Sequence, residues 1–125
     1  MAASKPKKLR IRHKMIACSK GRFIRISPKK VRQVIDLIRG KDVGSSLTVL
    51  AHTNKGSSGS ITRVLNSALS NAKQKGLAED QLFISKITAD QGPSWKRYRA
   101  AAFGRASSIL KRTTHLTIEL DLKLK

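Results

Sequence analysis

The chain has 125 residues, with 27 Lys and Arg against 7 Asp and Glu and a formal net charge of +20. That length suggests one domain. Such a charge repels itself in a compact fold unless a polyanion neutralises it, which favours nucleic acid over anionic lipid as the partner. The lone Cys18 excludes an internal disulfide framework, and no apolar run approaches the ~20 residues of a membrane span.

No acid precedes Asp36. Residues 1–22 read as a retained basic arm, too rich in Lys and too poor in Ser for an organelle presequence. Residues 23–125 read as a single domain. RFIRI, residues 22–26, is a candidate strand. A helix is predicted next: Ser27 suits its N-cap, Pro28 its first position, and Gly40 its stop. Val31, Val34, Ile35 and Ile38 recur on one face of it, while Lys29, Lys30, Arg32 and Arg39 lie off that face. A shorter helix is expected over 43–51 with Leu47 and Leu50 inward. GSSGS, residues 56–60, reads as a flexible link whose Ser60 caps a third helix. That helix carries Ile61, Val64, Leu65, Ala68, Leu69 and Ala72 on one face and ends at Gly76.

Two strands follow. LFISKITA, residues 82–89, is rich in β-branched and aromatic side chains. HLTIELDLKL, residues 115–124, alternates: Leu116, Ile118, Leu120, Leu122 and Leu124 face one way, and His115, Thr117, Glu119, Asp121 and Lys123 the other. That is a half-buried antiparallel strand. Between the two lies GPSWKRYRAAAFGRASSILKRTTH, with six basic residues and no acid. A structureless loop of that length is unfavourable in a compact domain. The simplest connection of the two strands is a hairpin arm over about 90–113, continuing both strands by ~10–12 residues, or ~35–40 Å. The expected fold class is therefore α+β: a small three-stranded antiparallel sheet on about three helices, with a long protruding β-hairpin.

Catalytic constellations are missing. His13, His52 and His115 are far apart and lack metal-ligand spacing. Residues 54–60 contain Lys55 but not the order of a phosphate-binding loop. The neighbouring Glu79 and Asp80 read as solvated turn residues. No catalytic residue, metal or cofactor is expected, and Cys18 reads as inert. Phosphate recognition needs positive donors not neutralised by nearby acids. Lys96, Arg97, Arg99, Arg105, Lys111 and Arg112 meet that condition, and Lys20, Arg22, Arg25, Lys29, Lys30 and Arg32 form a second basic group. Trp95 and Tyr98 suit either stacking on unpaired bases or ribbon packing. Phe103 reads as ribbon packing and Gly104 as a turn residue. His115 suits phosphate contact or plain surface. A DNA-compacting protein shares the charge. A membrane-surface protein needs a basic amphipathic helix, but the first helix's stripe is required as core.

SPKKVRQVIDLIRGK, VLNSALSNA and DQGPSWKRYRAAAFGRASSILKRTTHLTI, in that order and spacing, resemble the bacterial large-subunit ribosomal protein twenty-two family. The resemblance covers about residues 26–120. It implies a small α+β domain on the outside of the large subunit and a hairpin that runs through ribosomal RNA to line the nascent-peptide exit tunnel. It also implies contact with several ribosomal RNA domains during assembly. The implied partners are large-subunit ribosomal RNA, neighbouring ribosomal proteins and, transiently, the nascent polypeptide, with no DNA and no membrane. The implied place is a ribosome, cytoplasmic or organellar. By this resemblance Gly92 and Pro93 enter the hairpin, Lys96 and Arg97 are the basic pair near its tip, and Gly104, Arg105 and Ala106 begin the return. Lys111, Arg112, Thr113 and His115 form its basic stem. Ala100, Ala101 and Ala102 stand where the family typically has Pro-Arg-Ala, so a tip proline and arginine are absent and Arg99 is the nearest replacement charge. With Trp95 and Tyr98 these alanines are the tunnel-tip or stacking candidates. Gln91 stands where Glu is common, Thr114 where Ser is common, and GSSGS where the family is helical and basic, which implies a late start to the third helix.

Overall fold

The computed structural model describes residues 16–123. Its elements are β1 (Ala17–Ile24), α1 (Pro28–Ile38), α2 (Val43–His52), α3 (Ser58–Gln74), β2 (Leu82–Gln91), β3 (Trp95–Ala100), β4 (Ala106–Lys111) and β5 (Thr114–Leu122), with short 3-10 turns at Glu79–Gln81 and Ala102–Gly104. β5 is the middle strand of a three-stranded antiparallel sheet ordered β1-β5-β2, and β3 and β4 form a separate two-stranded ribbon. The fold class is α+β with a β-hairpin, as the sequence leads one to expect.

The helices lie on one face of the sheet. α3 packs on β1 and β5, α1 on β2, and α2 joins the two helices. Leu116, Ile118 and Leu120 of β5 are fully buried beneath them, with Ile35, Ile38, Ile61 and Leu65 opposite. The alternation read from β5 is therefore real, and its Leu124 lies outside the described residues. Asp121, expected outward, is instead buried and accepts a bond from the amide of Leu122 at 2.8 Å. In β2 a bulge between Ile84 and Lys86 brings Ile87 and Ala89 to the core side and leaves Lys86 exposed. The extra residue resets the period-2 pattern that would have turned Lys86 inward.

Further sequence expectations change. The first strand begins at Ala17, so residues 17–22, assigned to the basic arm, belong to the sheet, and residues 17–21 pair with β5. The rest of the expected arm, 1–15, lies outside the described residues. GSSGS is not a flexible link: α3 starts at Ser58, and Ser57 and Ser58 are buried. Ser58 Oγ donates to the Lys55 carbonyl at 2.7 Å, which binds the serine-rich segment to the end of the preceding loop. Neither Ser60 nor Ser27 makes a side-chain cap, and Ser27 starts α1 through its carbonyl, which accepts from the amides of Lys30 and Val31. In α2, Ser46 is buried and Leu47 only half-buried, because Ser46 Oγ turns back to donate to the Asp42 carbonyl at 2.7 Å. Gly21 is required by close approach: a Cβ there would sit 2.7 Å from Val64 Cγ2, so α3 lies against the backbone of β1.

Candidate nucleic-acid interface

The ribbon continues the central hairpin of the sheet, but not in register. The last β2–β5 rung is Gln91↔Thr114, and the first β3–β4 rung is Trp95↔Lys111. Residues 92–94 thus stand opposite 112–113, one residue more on one side, and the register slips by one. This junction is a built joint. The Gly92 amide donates to the Thr113 carbonyl at 2.9 Å, and Thr113 Oγ1 donates to the Pro93 carbonyl at 2.7 Å. Thr114 Oγ1 donates to the Ile26 carbonyl, tying the joint to the start of α1. Thr113 and Thr114 are both fully buried.

Beyond the joint, six rungs run from Trp95↔Lys111 to Ala100↔Ala106, a ladder of ~20 Å. Apart from the half-buried Ile109, every ladder residue is exposed. Trp95, Arg97, Arg99, Ser107, Ile109 and Lys111 share one face. Lys96, Tyr98, Ala100, Ala106, Ser108 and Leu110 share the other. The register corrects several placements. Lys96 and Arg97 lie on the second and third rungs from the root rather than near the tip. Trp95 is on the root rung, 52% exposed, with the Arg25 guanidinium 5.8 Å over its ring. Tyr98 is mid-ribbon, opposite Ser108, and 71% exposed. Of the tip and stacking candidates, Ala100, Ala101 and Ala102 alone reach the tip, where the Ala101 amide donates to the Arg105 carbonyl at 2.7 Å. Phe103 does not pack on the ribbon: it is 100% exposed at the apex with φ +58°, followed by Gly104 at +71°. Two successive left-handed residues close the turn without proline.

At the root, cations from distant segments converge. A groove of ≈ 790 Å³ is lined by Arg25, Lys30, Lys55, Lys111 and Arg112, with no acidic residue in its wall. A smaller concavity of ≈ 350 Å³ on the other side of the α1 start is lined by Lys29, Arg32 and Arg112. Arg32 is partly committed within the protein, since its Nε and Nη2 both donate to the Ala89 carbonyl at 3.1 and 2.8 Å and anchor α1 to β2. Lys20 and Arg22 stand apart from this cluster, on β1. Residue His115 is a joint residue: its Nδ1 accepts from the Phe23 amide at 3.2 Å, and its ring meets that of Phe23 edge-on at 5.0 Å. Phe23 takes φ +58° within the β1 bulge to make that contact. Among the described residues, the ion pairs Arg39–Asp36 and Lys123–Asp42 involve none of these site cations.

Lys55 is the cation that sequence reasoning set aside. Its surroundings lack a phosphate-loop order, and nothing local says that the turn before α3 faces β4. Among the described residues, no group of three His, Cys, Asp or Glu is placed to hold a metal ion, and no helix is long and apolar enough to cross a membrane.

Comparison with known proteins bears on most of the chain. The family described as Ribosomal protein L22p/L17e matches residues 19–121. Large ribosomal subunit protein uL22 of Halothermothrix orenii is 48% identical over 110 residues, 87% of this chain and 97% of the relative. The protein of the same name from Desulfitobacterium hafniense is 49% identical over 98 residues, 78% of this chain and 86% of the relative. That of Syntrophus aciditrophicus is 48% identical over 110 residues, 87% of this chain and the whole of the relative.

Proposed function

The chain belongs to the Ribosomal protein L22p/L17e family, and from that premise we propose that ribosomal RNA holds it in place through the ribbon and its root. As a family member it is a structural constituent of the large ribosomal subunit and not an enzyme. The finer reading rests on one observation: a cationic ribbon of six rungs, almost wholly exposed, with no described carboxylate paired to it. Such a ribbon gains little from its own core. Its place is among phosphates, where each cation displaces condensed counterions.

In this reading Lys96, Arg97, Arg99 and Arg105 run along RNA with the ribbon. Arg25, Lys29, Lys30, Lys111 and Arg112 grip a second RNA segment at its root, and Lys20 and Arg22 add contacts from β1. Arg32 contributes its remaining charge. Segments of ribosomal RNA that repel one another are thereby clamped together, which is how the protein bridges RNA domains during assembly. The alanine-rich tip with Phe103 lines the peptide exit tunnel and meets the nascent polypeptide. The domain, which takes in β1 from Ala17 onward, carries the arm over about 90–113, and neighbouring ribosomal proteins meet the remaining surface.

Competition at fixed high salt between a structured large-subunit ribosomal RNA fragment and duplex DNA tests this reading. Preference for the RNA, with cosedimentation of the chain with large subunits through a high-salt cushion, is the expected result. Equal affinity for the duplex would indicate a general nucleic-acid compactor instead.

A further inference from the structure

We infer that the groove at the ribbon root is a seat for one ribonucleotide turned out of its strand, together with the phosphates on either side of it. This deepens the ribosomal RNA reading and rests on it. The first reason is the distribution of charge. Arg25 comes from the β1–α1 link, Lys30 from the first turn of α1, Lys55 from the α2–α3 link, and Lys111 and Arg112 from the end of β4. None of these five side chains donates a hydrogen bond or forms an ion pair among the described residues; the Arg25 guanidinium lies over the Trp95 ring, and the charges of the other four are not neutralised within the domain. A regular helix offers a convex row of phosphates, which a single basic face can track. Cations drawn from four segments around a concavity suit a backbone that turns inside it.

The second reason is that the wall is not only basic. Leu110, a large apolar residue 45% exposed, and the half-buried Ile26 line the same groove. Apolar side chains add nothing to phosphate binding. They suit the face of a base or a sugar, and RNA recognition works mainly on unstacked nucleotides of this kind. Gln33 and Ser57 lie in the wall and supply polar groups for a base edge. The volume, ≈ 790 Å³, lies within the ~300–1,000 Å³ of small-ligand sites, too small for a duplex and ample for a nucleotide.

The third reason is rigidity. Thr114 ties β5 to Ile26, and Ser58 ties α3 to Lys55, so two walls of the groove are fixed by hydrogen bonds before any RNA arrives.

The experiment measures binding of the full chain to a large-subunit ribosomal RNA transcript across a salt series, with thermal melts to establish that each variant folds. Nucleotide-resolution 2′-hydroxyl acylation runs alongside. Lys55→Gln should lower the slope of log K against log salt by about 0.7–0.9, whereas Lys73→Gln, outside both concavities, should not. Leu110→Ser should keep the slope and weaken binding about three- to tenfold at every salt, through loss of apolar contact. It should also restore acylation at one nucleotide that the wild-type protein protects. Lys55→Gln losing slope while Leu110→Ser binds as wild type would reduce the groove to a phosphate shelf and overturn the nucleotide seat. Wild-type behaviour of both, with Lys96→Gln and Arg97→Gln impaired, would overturn it too while leaving the RNA reading intact. Groove variants that bind RNA normally but fail to join the subunit would give the groove to an acidic segment of a neighbouring protein. Wild-type behaviour of all four would overturn the RNA reading itself.

Discussion

A methyl group added at Gly92 tests how the ribbon is fixed to the domain. In the folded chain that Cβ would lie 2.5 Å from Thr113 Oγ1 and 3.1 Å from two atoms of the His115 ring. The hydroxyl cannot simply turn away, because it donates to the Pro93 carbonyl at 2.7 Å and Thr113 is fully buried. The protein can keep the bond and strain the joint, an overpacking cost of ~1–3 kcal/mol. Alternatively it can rotate the threonine and lose a hydrogen bond, ~0.5–1.5 kcal/mol, with the clash only partly relieved. Either route puts Gly92→Ala at about 2 kcal/mol, or about 8 °C in melting temperature for a domain near 100 residues. Removing the hydroxyl should remove the conflict. Thermal unfolding of Gly92→Ala, Thr113→Ala and the double variant should give a coupling of about 1–2 kcal/mol, with the double variant close to Thr113→Ala alone. Additive losses, or a neutral Gly92→Ala, would refute the description of the joint.

Ile118→Ala, at the centre of the middle strand and fully buried, should destabilise the domain by ~2–5 kcal/mol in urea unfolding. Ser58→Ala removes the bond to the Lys55 carbonyl and should cost about 1 kcal/mol, with faster amide exchange confined to the first turn of α3. Phe103→Ser should leave the unfolding free energy of the free protein within ~0.5 kcal/mol of wild type, since the ring is 100% exposed. Trp95 is the single tryptophan, so its fluorescence should shift when ribosomal RNA engages the root, and Arg25→Gln should alter the signal of the free protein by removing the cation above the ring.

Much of the fold was legible because its signals are local and periodic. The stripe of α1, the face of α3 from Ile61 to Ala72 and the alternation of β5 each follow from spacing alone, and all the residues named for α1 and α3 are buried. Tertiary geometry was not legible. Whether GSSGS folds depends on where the Lys55 carbonyl sits relative to Ser58, and the place of Trp95 depends on a one-residue slip between 92–94 and 112–113. The basic patches were visible as charge runs, but their convergence was not. Lys55, isolated in sequence, joins Arg25 and Arg112 only because the α2–α3 turn closes over the start of α1. Counting from the family pattern put Lys96 and Arg97 near the tip, whereas the register places them near the root.

The most direct test of the account is amide hydrogen exchange over residues 95–111, compared between the free protein and the assembled large subunit. An exposed two-stranded ladder is marginal by itself, so these amides should exchange at close to unfolded rates in the free protein while β5 stays protected. Within the subunit, phosphate contacts should slow the ribbon's exchange by orders of magnitude. Equal, strong protection in both states would mean that the ribbon is stabilised by its own chain, and would contradict the claim that ribosomal RNA holds it.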